Sequence, residues 1–249
     1  MLTMETERKV LFISATHGDE GFSTEILKDI ERLYRRESYS YDWVIGNPEA
    51  LTKQIRFTEA DLNRSAPGNP NGTIYEERRA SELMELSKDY AFVVDVHGSS
   101  NDCGIVTIIP YPSIQNLVLA SAFNIENNVI WYAKSSIAKG PLVQFIGCPG
   151  IEIECGPKDS KEIQNALSAI LRTFLTQGRE TTILDLMNNL KNKSFYSVYG
   201  FLEQNNVRYT DFELATFGGE EFYPFLSKQY SGIACYKMKK VDFSDLFLE

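Results

Sequence analysis

Two short apolar runs, residues 9–14 and 91–96, each lead to a histidine followed by glycine, His17-Gly18 and His97-Gly98. Each run has the pattern of a buried strand, and each has a helical pattern for a neighbour. After the first run, Ile26, Leu27, Ile30, Leu33 and Tyr34 recur at helical spacing. Before the second, residues 74–90 carry helix formers with Leu83, Met84 and Leu86. Further strands are predicted at 41–45, 104–109 and 150–153, and an amphipathic helix over 161–175 bears Ile163, Leu167, Ile170 and Leu171 on one side. Strands that alternate with helices fold into an α/β sheet with helices on its faces. Residues 46–72 are rich in Asn, Pro and Gly and read as a long irregular stretch of the kind that often carries function.

Beyond about Gly178 the texture changes to Tyr- and Phe-rich segments such as 195–199 and 232–236, without a long helical repeat. This predicts an α/β domain over 1–178 and a smaller β-rich domain over 179–249. At 43% hydrophobic and 24% charged, the 249 residues are those of a folded chain with a sizeable core. Lys and Arg number 25 against 34 Asp and Glu, a net charge of -9, and no basic run offsets it. Nucleic acid and anionic membranes are therefore poor partners, because phosphate binding needs clustered positive charge. Residues 1–10 include Glu5, Glu7, Arg8 and Lys9, and no segment approaches about 18 apolar residues, so a cytoplasmic location is expected. Cys103, Cys148, Cys155 and Cys235 lack C-x-x-C spacing and are expected as reduced thiols.

The chain holds only two histidines. In open α/β sheets, sites form at the carboxyl ends of the strands, so His17 and His97 can converge although 79 residues separate them. Glu20, three residues after His17, can add a carboxylate oxygen. Two imidazoles and one carboxylate leave a fourth position open, as in catalytic zinc sites; magnesium and calcium prefer oxygen donors, while manganese or iron stays open. The spacing alone leaves equally open a reading in which His17 caps a helix, His97 is a core residue and Glu20 favours a helix N-terminus.

Taken together, four ordered segments resemble the succinylglutamate desuccinylase/aspartoacylase family, relatives of the zinc carboxypeptidases. His17-Gly18-Asp19-Glu20 is similar to the family's H-G-N/D-E zinc motif and Asp61-Leu62-Asn63-Arg64 to its D-L-N-R motif. Asp95-Val96-His97 is similar to its third-ligand segment, and residues 152–157 (EIECGP) to its E-x-G-P motif. The resemblance implies a carboxypeptidase-like α/β domain with a mixed central sheet flanked by helices, followed by a small β-rich domain that covers the active site. It also implies one zinc ion and hydrolysis of the amide bond of an N-acyl amino acid, a small substrate bearing a carboxylate.

The resemblance further assigns roles. Zinc chemistry of this kind needs a base to move the water proton to the leaving amine. Glu154 matches the family's base, with Glu152, two residues away on the same strand face, as the competing choice. Arg56, seven residues before Asn63, corresponds to the arginine that stabilises the developing oxyanion, and Asn63 and Arg64 to the residues that grip the substrate carboxylate. Solvated loop charges are the alternative for both arginines. Asp61 is expected to orient its loop or pair with an arginine. Tyr230 corresponds loosely to a tyrosine that closes the pocket, with a surface or core tyrosine as the alternative. Cys155 is expected in packing, since no third histidine exists to activate it. In one respect the chain departs from aspartoacylase: residues 131–150 contain only Lys134 and Lys139 as cations, where aspartoacylase carries an additional carboxylate-binding arginine. This favours a different N-acyl amino acid. A zinc carboxypeptidase acting on peptides, and a catalytically silent metal-binding relative, are the competing readings.

Overall fold

The computed structural model of the protein describes residues 10–33, 41–132, 140–177 and 188–247. The two apolar runs form β1 (Val10–Ser14) and β3 (Phe92–Gly98), which pair in parallel with Ser14 level with Val96. β2 (Tyr41–Ile45) flanks β1, and β6 (Gly150–Gly156) flanks β3, both in parallel. Next in the sheet come β4 (Gly104–Ile109), antiparallel to β6, and β5 (Asn127–Ile130), parallel to β4. β7 (Ser194–Glu203) then pairs in parallel with β5. The remaining strands, β8 (Ala215–Phe217), β9 (Glu220–Phe225) and β10 (Ile233–Val241), pair antiparallel. The result is one mixed ten-stranded sheet in the order β2-β1-β3-β6-β4-β5-β7-β10-β9-β8, the α/β architecture expected. The expected boundary at 178/179 lies outside the described residues.

Helices α1 (Phe22–Leu33), α4 (Ile114–Ser121) and α5 (Lys161–Gln177) pack on one face, where Leu27, Leu117 and Leu167 meet Phe12, Val94 and Ile153. Each such fully buried side chain contributes about 2 kcal/mol. On the opposite face, Leu11, Ile13 and Val93 meet Leu83 of α3 (Tyr75–Ser87), Leu62 and Leu142. Because side chains alternate along a strand, Asp95 and His97 follow Val93 on that second face. The face is thus apolar at its base and polar toward the carboxyl ends of β3 and β6.

Residues 46–72 are less irregular than their composition suggests. Pro48–Lys53 form α2, started by Asn47, whose side chain accepts from the Ala50 amide, and by Pro48 in the first turn. Leu62–Arg64 form a single 3-10 turn capped by Asp61. α4 and β5 also went unexpected: eight and four residues are too short for periodicity to register. Among the described residues, no helix is long and apolar enough to cross a membrane.

Candidate metal centre

The chain leaves β1 through Ala15, which takes a left-handed conformation, and Thr16, whose hydroxyl donates to both carboxylate oxygens of Asp95 at 2.8 and 3.0 Å. This tie sets His17 beside the end of β3. The 3-10 turn Gly18–Glu20 then brings Glu20 back under His17. The glycine after each histidine is there for close approach: a Cβ at Gly18 would lie 2.1 Å from the Ala50 backbone, and one at Gly98 would lie 2.5 Å from the Phe22 ring.

Each of His17, Glu20 and His97 offers a ligand atom within 4.8 Å of the others, and all three are buried. Glu20 stands between the imidazoles: its Oε1 is 2.8 Å from His17 Nδ1 and its Oε2 3.1 Å from His97 Nδ1, while Oε2 also accepts from the Gly98 amide at 2.9 Å. The outer nitrogens turn away toward other carboxylates. His17 Nε2 lies 3.1 Å from Asp61 Oδ1, and His97 Nε2 lies 3.0 Å from Asp95 Oδ2 and 3.3 Å from Glu152 Oε1. Burial opposes charge on both rings, yet the surrounding carboxylates outweigh it and raise both histidines above the ordinary range.

Glu152 and Glu154 sit beside Asp95 and His97 in the register of β6 against β3, on the same face. Their environments diverge. Burial raises Glu152, but the adjacent His97 and the Asn63 amide more than reverse this and hold it below the usual range. Burial and the charge of Glu20 push Glu154 up to about 8. Around them, Arg56, Asn63, Arg64, Trp131, Pro141 and Tyr230 line one pocket with the two imidazoles. Arg56 reaches Glu20 Oε1 at 3.4 Å and Asp61 Oδ2 at 3.6 Å. Asn63 accepts from the Leu142 amide at 2.7 Å and donates to Glu152 Oε1 at 2.8 Å.

Residues 6–179 match the family of the succinylglutamate desuccinylase/aspartoacylase catalytic domain. The chain belongs to this family. It is 28% identical over 165 residues to a protein named "Probable aspartoacylase" in Prochlorococcus marinus (strain MIT 9215), a stretch covering 61% of this chain and 54% of that one. It is likewise 26% identical over 165 residues to a protein of the same name in Acaryochloris marina, covering 60% and 55%. The chain therefore spans about half the length of the curated relatives it matches. Among solved structures, it resembles succinylglutamate desuccinylase from Chromobacterium violaceum, with a TM-score of 0.71 at 14% identity over 96% of this chain and 86% of that one. It also resembles murine aminoacylase 3, with a TM-score of 0.68 at 19% identity over 95% and 96%. At such identities the likeness is one of fold.

In this family member the residues singled out from sequence, His17, Glu20, Arg56, Asn63, Arg64, His97, Glu152, Glu154 and Tyr230, all face one pocket. Tyr230 does so while packing edge-on against Tyr236, with ring centroids 5.9 Å apart. Asp61 does both things expected of it, capping its turn and pairing with Arg56, and meets His17 as well. Cys155 is fully buried in the opposite face's core, and burial holds its thiol far above the ordinary range. Sequence reasoning missed Asp95 as a partner of His97, and Trp131 and Gln229 as pocket walls. The first was detectable, since Asp95 and His97 are two apart on one strand; the other two join the pocket only through sheet pairing and a distant turn. Lys134 and Lys139 lie outside the described residues.

Proposed function

We propose that the chain is a zinc-dependent hydrolase that cleaves the amide bond of a small N-acyl amino acid, with one zinc ion held by His17, Glu20 and His97 and with Glu154 as general base. The observation that carries this reading is the convergence, in one pocket, of two buried imidazoles and a buried carboxylate with a further carboxylate, Glu154, at the same strand end. The donor set suits zinc, and carboxylates behind both imidazoles orient the rings and raise their basicity as metal-binding histidines require. When bound, the ion supplies charge that acidifies water and polarises the scissile carbonyl.

Glu154 takes the water proton and passes it to the leaving amine; its raised affinity for a proton suits both steps. Glu152 is the poorer base because Asn63 and His97 stabilise its anion. Arg56, beside Glu20, meets the negative charge that develops on the carbonyl oxygen. Asn63 and Arg64 grip the substrate carboxylate. Among the described residues Arg64 has no carboxylate at ion-pair distance, and its NH1 donates only to the Asn63 carbonyl, which supports that role. Residues 179–249 act as a second, β-rich unit that covers the site, and Tyr230 closes the pocket from it. Leu226, Gln229 and Tyr230 in the pocket wall favour a small acylated amino acid over a peptide. Residues 131–150 contain no arginine, only Lys134 and Lys139 as cations, which supports an amino acid other than aspartate.

The test is hydrolysis of a panel of N-acyl amino acids. Activity should vanish on chelation, return with zinc, and fall in kcat by about 10² to 10⁴-fold in Glu154→Gln at unchanged zinc content. Turnover that survives both treatments would overturn the proposal.

A further inference from the structure

Glu152 is used neither as a ligand nor as the base in the proposed function, yet it is a carboxylate buried within the pocket wall. Burying an extra anion costs several kcal/mol unless its oxygens are well met. His97 Nε2 already has Asp95 Oδ2 at 3.0 Å, and Asp95 is itself anchored by Thr16. A second carboxylate at the same nitrogen, 3.3 Å away, is therefore redundant for orienting the ring. What sets Glu152 apart is that the same oxygen also accepts from Asn63 Nδ2 at 2.8 Å. The amide of Asn63 is thereby oriented at both ends, with its oxygen on the Leu142 amide at 2.7 Å and its nitrogen on Glu152.

We infer that Glu152 is a positioning residue that couples the metal ligand His97 to the substrate-gripping turn at Asn63 and Arg64, so that one oxygen sets both zinc affinity and substrate affinity. The inference rests on the proposed ligand set and on the proposed role of Asn63. Two effects follow from two properties of the side chain. Its negative charge faces the outer nitrogen of His97 and strengthens that ring as a ligand. Its acceptor oxygen fixes which way the Asn63 amide points.

Two variants separate these effects. Glu152→Gln keeps an acceptor for Asn63 and loses the charge; Glu152→Ala loses both. The experiment measures zinc affinity of the full chain by competition with a chromophoric chelator, and KM and kcat with whichever N-acetyl amino acid the wild type turns over fastest. Expected are about 10-fold weaker zinc binding in both variants, with KM near wild type in Gln and raised about 10-fold in Ala, equivalent to about 1.4 kcal/mol. Zinc-saturated kcat should stay within a few-fold of wild type in both, unlike Glu154→Gln.

A purely structural role would lower the unfolding temperature of Glu152→Ala and leave zinc affinity and KM of the folded protein unchanged, which would overturn the inference. So would a collapse of kcat in Glu152→Gln at unchanged zinc affinity and KM, since Glu152 would then act in the chemistry. A wild type that neither binds zinc nor hydrolyses the panel would remove the proposed function itself. Normal wild-type behaviour with unaltered variants would remove only the role of Glu152.

Discussion

Glu152 and Glu154 are the same residue type, two positions apart on one strand face, and their surroundings drive them in opposite directions. Pairs of carboxylates pushed apart in this way mark a division of labour. The shift of Glu154 has a consequence for stability in metal-free protein. Its folded value of about 8 lies above the ordinary 4.5, so between those limits the folded state holds a proton that the unfolded state has lost. The group's contribution is therefore intact below about 4.5 and declines as pH rises to about 8. Chelator-treated wild type should thus lose ground to Glu154→Gln between pH 5 and pH 8.5 in urea unfolding. An equal change in both proteins would mean that Glu154 titrates as an ordinary carboxyl.

At the scale of elements, the strands and helices that frame the pocket were legible because their apolar periods are regular: β1, β3, β6, α1, α3 and α5 all overlap predicted segments. The loop that carries Arg56 was not, because much of its order comes from a distant side chain. Glu76, in the first turn of α3 and wholly buried, accepts from the amides of Thr58, Glu59 and Ala60, from the Thr58 hydroxyl and from Asn47 Nδ2. Burial raises its proton affinity, but these donors outweigh it and hold Glu76 below the usual range. Glu76→Ala strips several buried donors of their acceptor, at an expected cost of about 3 kcal/mol. Denaturant unfolding should register that loss, and KM should rise as Arg56 and the turn at Asn63 loosen. A variant as stable as wild type would show that the loop holds itself.

At the scale of the molecule, the last strands return a turn to the pocket far from the strands that lead to His17 and His97. Asp211 accepts from the amides of Leu226 at 2.8 Å and Ser227 at 3.1 Å, and Gln229 Oε1 accepts from Ser99 Oγ at 3.0 Å, Ser100 N at 3.1 Å and Ser100 Oγ at 2.8 Å. Gln229 thus latches the turn bearing Tyr230 to the segment that follows His97. Its replacement by Ala should raise KM several-fold through a less well placed Tyr230, with zinc content unchanged. Steady-state kinetics beside metal analysis tests this, and an unmoved KM would mean that the turn keeps its place without the latch.

Local chemistry determined a large part of this protein. Apolar periodicity marked the α/β sheet, and the two histidines with Glu20 marked the candidate metal group, because strand ends and a three-residue turn are short-range geometry. The motifs likewise marked Arg56, Asn63, Arg64 and Glu154. Only the tertiary structure decided which carboxylate backs which imidazole, that Glu152 is bound to Asn63 while Glu154 is not, and that Trp131 and Gln229 wall the pocket. Those choices depend on strand order and register across a ten-stranded sheet. Contacts between residues as far apart as Ser99 and Gln229 leave no period or spacing in the chain from which they can be read.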